Sequence, residues 1–165
     1  MSDAVVHITS ADEFAALISS TKYVVADFYA DWCPPCKAIA PLYAKMAGAN
    51  ARAGRLAFAK INVDHVPAVA QAYAVSAMPT FLFFAAGTPQ PVAAPGAPAG
   101  PCVQLVDGGK VNQIRGADPR ALNAVVTALS ALAKADDDGD AAPPKSVEGE
   151  AEQKPVAKDI EAVST

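Results

Sequence analysis

DWCPPCK, residues 31–37, puts two cysteines three positions apart with only prolines between them. Upstream, YVVADFYA (residues 23–30) is a β-branched and aromatic run, apolar on both faces, as a central strand reads when helices cover both sides. Downstream, KAIAPLYAKMAGANA has helical character, and proline suits the first helical positions because its fixed φ already matches a helix and its missing N–H is not needed there. The motif therefore marks a strand, a turn and a helix entry, with Cys33 as N-cap and Cys36 at the third helical position. A helix start presents unsatisfied N–H groups and the positive end of the macrodipole, and both stabilise a thiolate. Since thiolate rather than thiol attacks a disulfide, Cys33 is the candidate nucleophile. The two prolines delete two donors that could face its sulfur, which leaves the Cys36 N–H as the chief remaining one.

The alternation continues on both sides. VVHI (5–8) reads as a short strand, and Ser10 or Asp12 can cap a helix over AALIS. LAFAKINVD (56–64) is a second buried strand, PAVAQAYAV a short helix and TFLFF (80–84) a further strand. Residues 117–134 are amphipathic, with Leu122, Val125, Val126, Leu129 and Leu132 at helical spacing. The order βαβαβα followed by ββα predicts an α/β fold with a mixed central sheet sandwiched by helices. Residues 87–101, GTPQPVAAPGAPAGP, hold five of the fourteen prolines without periodicity and read as an exposed, mobile loop. In VQLVDGGKVNQI the Asp107-Gly108-Gly109 turn signal suggests a hairpin, and whether Val103–Val106 extends the TFLFF strand or forms a new one stays open.

With 165 residues, one domain is expected, spanning 1–134. Residues 1–134 carry ten Lys/Arg and eight Asp/Glu, net +2, whereas 135–165 carry three and nine, net −6, so the overall −4 belongs to the tail. That tail is rich in Asp, Glu, Pro and Gly, lacks aromatics and reads as a disordered, solubilising appendage. No basic, aromatic-interleaved patch suggests nucleic acid, and no apolar run reaches the ~18 residues a bilayer span requires. Three cysteines are too few for a secreted disulfide scaffold, and the N-terminus lacks the pattern of a secretory signal, so a reducing, cytoplasmic setting is expected. One C-x-x-C with a distant Cys102, and His7 and His65 without matched partners, do not make a zinc site.

Taken together, ADFYADWCPPCKAIAP, AMPTFLFF and the glycine of QIRGAD resemble the thioredoxin family over about residues 5–134. The W-C-x-P-C-K core, a proline five residues after the second cysteine, an acidic residue six before the first and a Met-Pro-Thr step agree from separate parts of the chain. The resemblance implies a thioredoxin fold and a protein-disulfide reductase, a monomer with no bound cofactor or metal. Its Cys33–Cys36 disulfide would be restored to the dithiol by thioredoxin reductase at the expense of NADPH. It implies that Asp27 is proton acceptor for Cys36 through water, with Lys60 tuning it. Asp27 falls inside an apolar run where an ionised carboxylate is costly and its proton affinity should rise; a strand-end Asp facing solvent is the alternative. The resemblance further implies that the Met78–Pro79 bond is cis and lies against the cysteines, and that Ala77 and Met78 offer backbone groups to an extended substrate. Trp32, Pro34, Pro35, Met78, Pro79 and Gly116 would edge a shallow apolar contact patch; Trp32 as a plain core residue is the competing view.

The chain departs from the family pattern in two places. Pro34 stands where most thioredoxins have glycine, a W-C-P-P-C form also typical of tryparedoxins and nucleoredoxins, although the 46-position separation of Cys33 and Pro79 fits the compact thioredoxin plan. Cys102, beside the Pro/Gly loop, matches no family position; it reads as a free, partly buried thiol or as a mobile cysteine able to form a mixed disulfide. From another functional class, a thioredoxin-fold binding module that recruits a partner through its patch, loop or tail remains an alternative to the oxidoreductase.

Overall fold

The computed structural model describes residues 4–141. Strand β1 (Val5–Ile8) leads into α1 (Ala11–Ser20), β2 (Tyr23–Tyr29), α2 (Pro34–Asn50), β3 (Leu56–Asn62) and α3 (Pro67–Ala72). Strands β4 (Thr80–Ala85), the two-residue β5 (Thr88–Pro89), β6 (Val103–Val106) and β7 (Lys110–Arg115) follow, and α4 (Pro119–Ala141) closes the order. The described strands form one seven-stranded sheet in the order β1-β3-β2-β4-β7-β6, with β5 paired to β4. Strands β1, β3 and β2 run parallel, whereas β4, β7 and β6 pair antiparallel, so the sheet is mixed as the alternation predicts. Ser10, not Asp12, caps α1, its hydroxyl accepting from the Glu13 N–H, while Glu13 reaches back to the Thr9 N–H.

β2 sits at the centre and is buried along its interior because both its faces are covered. One face carries Val25, Phe58, Phe81 and Phe83 against Tyr43 and Met46 of α2 and Leu122, Val125 and Leu129 of α4. The other carries Val24, Ala26, Phe28 and Phe84 against Phe14 and Ile18 of α1 and Val69 of α3. Tyr43 anchors the first layer: its ring packs edgewise on Phe58, and its hydroxyl lies 3.0 Å from the Val25 carbonyl oxygen and 2.8 Å from that of Ala59. The hydroxyl thus ties α2 to the seam between β2 and β3, a buried polar group with its partner in place.

The Pro/Gly segment differs from its expectation. Thr88–Pro89 pair with β4, and Val92 exchanges backbone hydrogen bonds of 2.9 and 2.8 Å with Val111 of β7. Val92 and Ala94 are buried in the core beside α4 rather than exposed. Proline content removes donors and periodicity, but Val92 keeps the N–H that its bridge uses, and one Val and one Ala suffice to anchor the crossing. Val103–Val106 form a separate edge strand on β7, with a bulge between Gln104 and Leu105, and do not prolong β4. On α4, Leu132 faces solvent at 45% exposure while Ala133 is fully buried, so the inward stripe passes from Leu129 to Ala133 at the i, i+4 step. The helix begins at Pro119, with the Asp118 carboxylate accepting from the Ala121 N–H as its cap.

The compact unit that carries the sheet closes at Ala133, and a second unit starts at Lys134. Helix α4 runs on to Ala141, past the point where its apolar repeat ends; an amphipathic repeat marks the buried face of a helix, not its terminus. The remainder of the acidic segment read as a disordered tail lies outside the described residues. Replacing Val92 by Ala should destabilise the protein by about 2 kcal/mol in urea unfolding, as for a buried core truncation, despite its place in a proline-rich segment. A change below ~0.5 kcal/mol would show that the segment does not belong to the core.

Candidate active site

The carboxyl end of β2 and the start of α2 meet at the cysteine pair. Cys33 has extended backbone angles, φ −96° and ψ 107°, its carbonyl accepts the first helical bond from the Lys37 N–H at 3.2 Å, and Pro34 and Pro35 occupy the first two helical positions. Cys33 and Cys36 form a disulfide, so the structure shows the oxidised state. The Cys36 N–H donates to the Cys33 sulfur at 3.2 Å, the one donor that the prolines leave at the helix entry. Both cysteines are buried in a small cluster with Ala30, flanked by Tyr29, Val63 and Met78.

From the opposite side the β4 entry approaches. The Met78–Pro79 bond is cis, and the Met78 carbonyl oxygen lies 3.5 Å from the Cys33 sulfur. The Thr80 hydroxyl donates to the Ala77 carbonyl at 2.6 Å, and the Gly116 N–H donates to the Pro79 carbonyl at 2.7 Å, which binds the end of β7 to this loop. Ala77 is exposed, Met78 half-buried and Pro79 buried. Gly116 has φ +124°, and a Cβ there would lie 2.8 Å from the Cys102 sulfur, so both backbone angle and space require glycine. Cys102, outside the family pattern in sequence, is thus half-buried against the residue that flanks Pro79.

Trp32 is 65% exposed, which removes the core reading, and its ring N–H donates to the Asp64 carboxylate at 2.9 Å. Asp64 is in turn oriented by its own N–H donating to the Asn62 side-chain oxygen at 2.9 Å. Sequence reasoning did not single out Asp64; its position just past the carboxyl end of β3, beside β2, is the signal, since sites in parallel sheets form at that end. Pro34 and Pro35 are both exposed beside Trp32.

Inside β2, Asp27 is 1% exposed, so it does not face solvent. Its Oδ1 receives no hydrogen bond. Burial pushes its carboxyl up from the usual 3.8 to about 7, against the opposing pull of the Lys60 ammonium. Lys60 is the register partner of Asp27 on β3. Its ammonium lies over the Tyr29 ring, 4.3 Å from the centroid, a contact that sequence spacing does not reveal. Burial, and then the nearby Asp27 charge, hold the Tyr43 hydroxyl well above its usual range, so it stays protonated. A small cavity of about 160 Å³ is lined by Tyr29, Ala30, Asp31, Cys36, Lys37, Ala40 and Lys60, which brings the second cysteine and Lys60 to one space. Among the described residues no group of three or more His, Cys, Asp or Glu could hold a metal ion.

This geometry agrees with what the chain is similar to. The thioredoxin family model matches residues 5–106. A thioredoxin of Neurospora crassa is 53% identical over 134 residues, covering 81% of this chain and 93% of its own length. A thioredoxin-like protein of Fusarium culmorum is 49% identical over 128 residues, covering 78% and 93% respectively. Among solved structures, Malassezia sympodialis thioredoxin superimposes with a TM-score of 0.58 at 34% identity, covering 78% of this chain and 93% of that one. Oxidised mitochondrial thioredoxin 3 of Saccharomyces cerevisiae gives 0.54 at 32% identity, with coverage of 74% and 93%. A redox disulfide at the N-terminus of α2, on a mixed sheet flanked by helices, therefore carries its family's chemistry: the chain belongs to the thioredoxin family and is a thiol–disulfide oxidoreductase acting through the Cys33–Cys36 dithiol.

Proposed function

We propose that the reduced protein reduces disulfides of other proteins by a two-step exchange. The Cys33 thiolate attacks one sulfur of the substrate disulfide, forming a mixed disulfide and expelling the first substrate sulfur, which takes up a proton. Asp27 accepts the Cys36 proton through water, and the Cys36 thiolate attacks the Cys33 sulfur, expelling the second substrate sulfur and closing the Cys33–Cys36 bridge. Two electrons pass from the dithiol to the substrate. The observation that carries this reading is the Cys36 N–H aimed at the Cys33 sulfur at the start of α2, because that donor stabilises the attacking thiolate and, after attack, places Cys36 next to the bond it must break.

The surroundings fit the remaining roles. A carboxyl whose proton affinity lies near neutrality both accepts and returns a proton at working pH, which supports Asp27 as the acceptor and Lys60 as its tuning charge. Exposed Trp32, Pro34, Pro35 and Ala77, with half-buried Met78 and Gly116 around Pro79, suit a contact patch for an extended segment that pairs with the backbone at Ala77 and Met78. Thioredoxin reductase drawing on NADPH is the proposed source of electrons, which makes the protein a carrier in electron transport, acting as a monomer in the cytoplasm without a bound cofactor or metal. No described helix is long and apolar enough to cross a membrane.

Cys33→Ser should lower insulin reduction driven by dithiothreitol by about a hundredfold or more, while Cys36→Ser should accumulate a mixed disulfide visible by mass spectrometry. Wild-type turnover in Cys33→Ser would contradict the assignment. Asp27 supplies a second check through stability. Its folded-state affinity for a proton is raised, so the native state binds more protons than the unfolded chain between about pH 4 and 7, and stability is lost as pH rises through that window. Asp27→Asn should therefore gain stability over wild type from pH 4.5 to 8.5, by about 3 kcal/mol at ~1.4 kcal/mol per pH unit. A difference that stays flat with pH in urea unfolding would show that the carboxyl is not perturbed by burial.

A further inference from the structure

Asp27 and Lys60 are cross-strand partners in register on the face that α2 covers, the arrangement in which opposite charges ordinarily pair. Yet the Asp27 Oδ1 receives no hydrogen bond, from Lys60 or from any other group. The Lys60 ammonium instead lies over the ring of Tyr29, two residues along the same strand and on the same face. Tyr29 and Lys60 both line the cavity that Cys36 borders, and both are half-buried, so the pair is part of the wall beside the second cysteine. A half-buried ammonium cannot serve both a ring face and a carboxylate fully; what holds it at one weakens it at the other.

We propose that Tyr29 is a positioning residue: its ring captures the Lys60 ammonium and keeps it from pairing with Asp27, which leaves the carboxyl free to hold a proton. The consequence for turnover rests on the proton-acceptor role proposed for Asp27. The other groups that face this charge are accounted for. His7 on β1 is the register partner of Lys60 on its far side, Lys37 and Asp31 share the cavity with it, and the protonated Tyr43 hydroxyl approaches from α2. His7 and Lys37 are basic or neutral and cannot take the place of the ring in drawing a cation away. Asp31 is exposed to solvent, which screens its attraction. Among the described residues, Tyr29 is the group that competes with Asp27 for Lys60.

The test follows the Asp27 carboxyl titration by carbon-13 NMR in the full chain. In Tyr29→Leu the ammonium is released to the carboxylate, and the midpoint should fall by about one pH unit or more. Tyr29→Phe keeps the ring face and should stay within a few tenths of a unit of wild type. Loss of the ring could also let water reach Asp27 and lower its midpoint by hydration alone, so the same substitution is repeated in a Lys60→Met background, where the shift should vanish. No shift in Tyr29→Leu, an equal shift in Tyr29→Phe, or a shift that persists without Lys60 would each overturn the proposal. The pH profile of Cys36 attack on a preformed mixed disulfide separates the two readings: if the Asp27 midpoint moves as expected and that profile does not follow, Tyr29 still positions Lys60 and it is the proton-acceptor role of Asp27 that fails.

Discussion

The site depends on a single hydrogen bond, from the Cys36 N–H to the Cys33 sulfur at 3.2 Å. A helix entry without prolines offers several N–H groups to its cap; here Pro34 and Pro35 remove the first two, and electrostatic stabilisation of the sulfur falls on the amide of Cys36. In the proposed exchange the same residue supports the nucleophile in one step and displaces its partner in the next. Everything around the pair serves to hold that entry still. Cys33 accepts the first helical bond with its carbonyl, Tyr43 ties α2 to two strands, and the Gly116 N–H braces the Pro79 loop whose Met78 carbonyl meets the other side of the sulfur.

The second constraint is electrostatic and works against folding. A carboxyl buried at the centre of the sheet, with one oxygen unpartnered, gives up stability whenever it ionises, and a core free of it would be firmer. The fold does not relieve the cost by pairing Asp27 closely with Lys60, although the register places them opposite one another. In the proposed exchange, a group kept near neutral proton affinity is of more use than a salt bridge would be. Perturbed groups of this kind gather at sites for that reason.

Much of this was legible in the residues themselves. The two-sided apolar run of β2 announces a central strand, the Cys-Pro-Pro-Cys spacing announces a capped helix start, and an Asp within the run announces a perturbed carboxyl. The parts that escaped are those set by register or by single contacts. The Lys60 ammonium reaches Tyr29 diagonally across a strand pair, and the Trp32 ring N–H finds Asp64 across 32 residues of chain; neither distance is encoded in local spacing. The proline-rich crossing looked free of the core because its composition suppresses periodicity, yet Val92 needs one bridge to Val111 to be buried. Leu132 looked inward because leucine suits the stripe; a shift of one position put Ala133 there instead. Cys102, without a family position to suggest a neighbour, turns out to fill the space that Gly116 leaves open.

The central claim is that Cys33 alone is primed, by its place at the N-terminus of α2, while Cys36 waits behind it. Its most direct test is the rate of iodoacetamide alkylation of the reduced protein at neutral pH, with the modified residue identified by peptide mass spectrometry. The account predicts that Cys33 is consumed first, much faster than a small-molecule thiol of ordinary acidity, with Cys36 spared. Equal modification of both cysteines at the rate of an unperturbed thiol would contradict it.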